Sequence, residues 1–131
     1  MNAAAIAKAY YEALRNKTVS EIDQYLHADI RFIGPLAELK GKEAILDAAR
    51  KFSLAFTQLT VRASFSSEYQ VMTVYDLECP APIGHVRAAA LMDIHKGLIE
   101  RIELFYDARP FQPKKEEIFD AKNNLLNSGN Q

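Results

Sequence analysis

A single cysteine, Cys79, excludes an intrachain disulfide, and no grouping of Cys and His has the spacing of a structural zinc site. Both absences fit a reducing, cytoplasmic setting and a protein that calls for no metal or other cofactor. Charge of one sign is also lacking. Sixteen Lys and Arg stand against 17 Asp and Glu, a formal net charge of −1, so there is no global pull toward nucleic acid or acidic lipid. No stretch reaches the roughly 18 apolar residues of a membrane span. The opening Met1-Asn2-Ala3-Ala4-Ala5-Ile6-Ala7-Lys8 has no basic segment followed by an unbroken apolar run. Internal repeats, low-complexity tracts and linkers are missing as well.

What is present is an ordinary globular composition of 49% apolar, 25% charged and 10% aromatic residues over 131 positions. That length supports one core and leaves no room for a second domain. The expectation is one domain over residues 1–110 with a C-terminal helical extension, residues 111–131.

Apolar periodicity divides the chain into a helical first part and a strand-rich second part. Ile6, Tyr10 and Leu14, with Ala9 and Ala13 beside them, form one face of an amphipathic helix, which points Tyr10 inward and Tyr11 toward the edge. Thr18-Val19-Ser20-Glu21 has the form of a capping box and predicts a second helix burying Val19, Ile22 and Leu26. Ile30-Arg31-Phe32-Ile33 is a short strand stopped by Gly34-Pro35. A third helix opens at Gly41 and presents Ile45, Ala48, Ala49 and Phe52.

From Leu59 onward the period becomes two. Leu59–Phe65 and Val71–Cys79 read as neighbouring strands, with Leu59, Val61, Ala63 and Phe65 on one face of the first. His85–Ile94 and Leu98–Asp107 form a hairpin through His95-Lys96-Gly97. Lys114–Leu126 is read as a C-terminal helix entered through Pro113. Helices followed by a long antiparallel meander predict an α+β layer, a curved, mostly antiparallel sheet wrapped around the N-terminal helices.

Four segments give this pattern a family likeness: Tyr10-Tyr11-Glu12-Ala13-Leu14, Ile22 to Phe32, Gly41-Lys42-Glu43-Ala44-Ile45, and Gly97 to Asp107. In that order and spacing, across Ala5 to Arg109, the chain resembles the nuclear-transport-factor-2-like superfamily. Within it, the chain is similar to the SnoaL-like group, whose relatives include ketosteroid isomerase and limonene epoxide hydrolase. The resemblance implies a cone-shaped fold with a pocket on the concave face of the sheet, plugged by the first helix, and a homodimer that packs sheet against sheet.

It also implies where catalytic groups would stand. The base of ketosteroid isomerase falls on Gly34. The Tyr of its oxyanion hole, a case known in detail, matches Tyr10, whereas the protonated Asp of that hole falls on Ala90. A carboxylate that hydrolase and cyclase relatives carry in the last strand falls on Leu104. The usual acids and bases are therefore absent.

The expected ligand-binding set is Tyr10, Phe32, Tyr75, Ala90, Met92, Ile102, Leu104 and Tyr106, with catalytic residues unknown. Tyr10 is a candidate donor to a ligand carbonyl, against the plainer reading of a packed ring bonded to backbone. Tyr75 and Asp76 lie on opposite faces of one strand, and Asp76 becomes a usable base only if it is the inward one. His27, expected at a helix C-terminus, His85 and His95 are too scattered for a metal site. Cys79 lacks an activating base and is read as structural. The convex set, with His85, Arg87, Asp93, Arg101, Glu103 and Phe105, suits a two-fold interface.

These readings support a small-molecule-binding domain that holds an apolar ligand. One rival is an isomerase, hydrolase or cyclase with a relocated acid or base, Asp76 with Tyr10. Another is a dimerisation domain whose pocket is filled by its own side chains.

Overall fold

The computed structural model describes residues 1–114. The expected C-terminal helix over Lys114–Leu126 and the extension that contains it lie outside these residues, apart from their first positions. Asn2 starts helix α1 (Ala3–Arg15), its side chain accepting a hydrogen bond from the Ala5 N–H at 2.8 Å. The helix ends in a Schellman motif: the Thr18 N–H donates to the Ala13 carbonyl and the Lys17 N–H to the Leu14 carbonyl. Lys17 occupies the left-handed position, φ 61°, where glycine is usual.

The predicted second helix is instead a 3₁₀ segment, Val19–Tyr25. The capping box does not close, because the Thr18 hydroxyl is 3.3 Å from the Ala13 carbonyl and 3.2 Å from the Glu21 carboxylate and caps no backbone N–H. Val19, Ile22 and Leu26 are buried all the same, and Leu26 already opens strand β1 (Leu26–Ile33). His27 therefore lies in a strand and not at a helix end. Its Nδ1 accepts from the Asp29 N–H at 2.9 Å, which corrects its expected place at a helix C-terminus.

A short strand β2 (Glu38–Lys40), missed in the sequence, folds back antiparallel on β1, with Leu39 opposite Phe32. Helix α2 (Lys42–Ser53) follows, and the strands β3 (Gln58–Ser66), β4 (Gln70–Glu78), β5 (His85–His95) and β6 (Leu98–Tyr106) complete the sheet. The strand order is β2-β1-β6-β5-β4-β3, and every pairing is antiparallel except β1 with β6. Lys96 and Gly97, both at positive φ, join β5 to β6 in a two-residue turn whose twist matches that of the strands. A final 3₁₀ segment, Arg109–Lys114, seats Phe111 against Tyr106 with ring centroids 5.3 Å apart.

Alternation holds through β4 and β5: Val71, Thr73, Tyr75 and Leu77, then Val86, Ala88, Ala90, Met92 and Ile94, are all buried. It fails in β3. Val61 pairs with Tyr75 but Ala63 already pairs with Val74, so a bulge inserts one extra residue on the β3 side. Beyond it the faces exchange, which places Ser64 and Ser66 opposite the buried Thr73 and Val71 and sends Phe65 to the outside, where it is 68% exposed. The expectation that Leu59, Val61, Ala63 and Phe65 share one face is corrected accordingly.

The core lies between the concave face of the sheet and the two α-helices. Lys17 closes one end of it, donating from Nζ to the carbonyl of Ser53, the last residue of α2, and to that of Phe56 just beyond the helix, while lying 4.4 Å above the Phe56 ring. The α1 terminus is thereby tied to the α2 terminus through the Ser53 carbonyl, one of those the helix leaves unsatisfied.

Candidate functional site

The sheet and helices leave an apolar cavity of about 50 Å³ against α1. Its floor is made of buried side chains: Tyr10, Tyr11 and Leu14 of α1, Ile45 and Ala49 of α2, and Tyr75, Ala90 and Ile102 of the sheet. Its rim is half-exposed, formed by Phe32, Leu39, Ala48, Phe52, Leu104 and Tyr106. Of the residues expected from the sequence, all but Met92 line this space. Met92 faces the same side but is fully buried in the core below it.

Sequence reasoning missed Tyr11, Leu14, Leu39 and the α2 wall. The signal for α2 was available, since Ile45, Ala48, Ala49 and Phe52 were already the apolar face of that helix. Tyr11 was placed at the edge, but it is 3% exposed because the sheet curls around α1 and covers a second side of it.

Among the described residues, the only polar side chains on the wall are phenols. The Tyr10 and Tyr11 rings meet edge to face at 5.1 Å, and Tyr11 lies 5.0 Å from Tyr75. Burial pushes the Tyr10 and Tyr106 hydroxyls up to about 12. It raises Tyr11 and Tyr75 as well, and each is raised further by neighbouring phenols. At neutral pH these hydroxyls stay protonated, so they can orient an oxygen of a ligand but cannot accept its proton as a base.

None of the three positions at which the resemblance implies a catalytic acid or base holds one. A Cβ at Gly34 would stand 3.0 Å from the Phe32 ring, so an Asp there requires Phe32 to move. Ala90 and Leu104 line the cavity with hydrocarbon. The parity of β4 is set by its pairing with β5: Tyr75 is inward and Asp76 outward, opposite Arg87. Asp76 pairs with Arg62 at 3.5 Å and lies 4.0 Å from the His85 Nε2, while the His85 Nδ1 contacts Glu78. This charged group belongs to the convex face. Among the described residues, no group of three or more His, Cys, Asp and Glu is placed to hold a metal ion. Cys79 is buried, and burial followed by the nearby Glu78 raises its pKa, which leaves little thiolate for nucleophilic work.

Two α-helices set into the concave side of a curved sheet, around an oily space floored by the first helix, define a cone-type α+β domain. The sequence matches the family described as SnoaL-like domain over residues 7–102, and the chain belongs to that family. Among solved structures it is similar to a protein from Kribbella flavida DSM 17836 (22% identity, TM-score 0.78, 92% of this chain and 95% of that one). It is also similar to a nuclear-transport-factor-2-like protein of unknown function from Cytophaga hutchinsonii (22%, TM-score 0.72, 81% and 90%). A third is a steroid delta-isomerase from Pseudomonas aeruginosa (16%, TM-score 0.78, 97% and 96%). At these identities the likeness establishes the fold alone. A comparison with curated proteins gave no significant match.

Proposed function

We propose that this SnoaL-like domain binds a small apolar molecule, or the apolar end of one, in the cavity beside α1, and does so without acid–base chemistry. The observation that carries this reading is the wall itself: among the described residues its side chains are hydrocarbon, interrupted only by neutral phenols. An oxygen-bearing apolar ligand such as a cyclic ketone suits it, since a protonated phenol O–H donates a hydrogen bond to a carbonyl oxygen.

Size limits the ligand. About 50 Å³ is well below the roughly 300–1,000 Å³ of typical small-molecule pockets, so a larger ligand has to displace the half-exposed rim of Leu39, Phe52 and Leu104. The test is a thermal-shift series with cyclohexanone, methylcyclohexane and a steroid ketone on the wild type and on Ala48→Leu, which narrows the mouth at a half-exposed position. Ligand-dependent stabilisation in the wild type and its loss in Ala48→Leu is the expected result. No shift with any compound favours the dimerisation domain with a self-filled pocket, and turnover of a ketone would favour the enzyme.

The partner in this reading is a second copy of the chain, docked through the convex face. Phe65, Met72 and Leu91 are in register across three strands, as are Val74, Ala89 and Phe105, and Phe65 and Phe105 are 68% and 46% exposed. Ionic flanks, Arg101 with Glu103 and Arg62 with Asp76, border these rows and suit a two-fold contact. No helix among the described residues is long and apolar enough to cross a membrane. A cytoplasmic setting is the one in which the lone thiol stays reduced.

A further inference from the structure

Among the described residues a second recess is larger than the oily one. Between α1 and the far end of β3 and β4 lies a groove of about 360 Å³, within the usual range for small-molecule sites. We propose that this groove is a second binding site, for a small monoanionic carboxylate with an apolar body.

Lys8, Glu12 and Arg15 recur along one side of α1 and border the groove. None of them forms an ion pair or side-chain hydrogen bond among the described residues, although Lys8 with Glu12 and Glu12 with Arg15 have spacings at which helical ion pairs form. Two cations against one carboxylate leave a net charge of +1, which matches one negative charge rather than a dianion. Arg15 supplies the planar fork that holds a carboxylate through two hydrogen bonds.

The opposite wall is polar for a structural reason. The β3 bulge turns Ser64 and Ser66 from the outer to the inner face, under α1, where strict alternation would have put the side chain of Phe65. Bulges commonly re-aim side chains next to sites. Thr73, opposite Ser64, is 2% exposed, lines the groove and forms no side-chain hydrogen bond among the described residues. In the proposed site its hydroxyl is the buried polar contact for the ligand. Val61, Ala4 and the edge of Tyr11 supply an apolar end.

Tyr11 also lines the oily cavity and is the lining residue that the two spaces share. The groove is nonetheless independent of the cavity reading, because its polar contacts come from residues that the cavity does not touch.

The test follows backbone amide shifts by NMR on titration with benzoate, benzamide and phenyl phosphate. Benzoate is expected to give saturable shifts at Ser64, Ser66 and Thr73, with benzamide and phenyl phosphate binding more weakly. Arg15→Ala and Lys8→Ala should each weaken benzoate roughly tenfold, and Glu12→Gln should tighten it severalfold by removing the opposing charge. Thr73→Val should weaken it without changing the preference for an anion. Equal binding of benzamide, stronger binding of phenyl phosphate, indifference to Arg15→Ala and Lys8→Ala, or shifts confined to Leu104 and Tyr106 would each overturn the proposal, as would no saturable shift with any probe. The shift pattern separates this site from the apolar cavity, so either can fail alone.

Discussion

Tyr75 and Asp76 are adjacent in β4 and look to opposite sides of the sheet: Tyr75, 3% exposed, stands over the cavity, and Asp76 pairs with Arg62 on the convex face. That parity removes the one carboxylate that sequence reasoning offered as a base. Asp76→Asn is expected to leave ligand binding, and any turnover found, within about twofold of the wild type, because it changes only a half-exposed ion pair of small net value. Tyr75→Phe alters the cavity wall and should change the affinity for a ketone severalfold. Paired isothermal titrations of the two variants check this, and loss of binding in Asp76→Asn alone would reverse the assignment.

The buried phenols give the protein an alkaline limit. The folded-state pKa of Tyr10 and of Tyr106, about 12, lies above the ordinary value of 10.0, so the folded state holds more protons than the unfolded state in this interval. Stability is therefore full below about pH 10 and is lost as pH rises toward 12, on the order of 2–3 kcal/mol for Tyr10. Tyr11 and Tyr75 act in the same direction. Ultraviolet titration of tyrosinate beside far-ultraviolet circular dichroism should show these phenols ionising only as the fold is lost. Ionisation of all tyrosines near pH 10 with the fold intact would contradict the burial.

Lys17 combines a strained backbone with a useful ammonium. Lys17→Ala removes the bonds to the Ser53 and Phe56 carbonyls and the contact with the Phe56 ring, at an expected cost of about 1.5–3 kcal/mol in urea denaturation. Lys17→Gly loses the same contacts but relaxes the positive φ, so it should be the milder change by up to about 1 kcal/mol. Equal destabilisation by both would mean that φ carries no strain.

The convex face makes its own prediction. Phe105→Glu puts a charge at the β6 end of one apolar row, where Phe105 is already 46% exposed, so it should cost the isolated fold little. Light scattering of the wild type is expected to give twice the mass found for this variant. A monomeric wild type would end the dimer proposal.

Much of the site could be read in advance because two periodicities suffice for it. The three-to-four-residue spacing in α1 and α2 and the two-residue alternation in β5 and β6 name the inward side chains, whatever the details of packing. The failures are local and have causes. The Thr18–Glu21 motif has the composition of a helix start, yet the chain has only a few residues before Leu26 must enter β1, and a 3₁₀ segment spans that length. Strand β2 is three residues long, too short to show a period, and it forms because Gly34-Pro35 turns the chain back onto β1.

Amino-acid order by itself determined the class of fold, the oily character of the inner face and the lack of acids at Gly34, Ala90 and Leu104, since these depend on residue type and spacing alone. Tertiary structure decided the rest. Pairing with β5 chose the side for Asp76, closure of the sheet around α1 brought Tyr11 inside, and one extra residue in β3 exchanged Phe65 for Ser64 and Ser66 beneath the helix. Each of these outcomes depends on register, a relation between distant strands that no local spacing encodes.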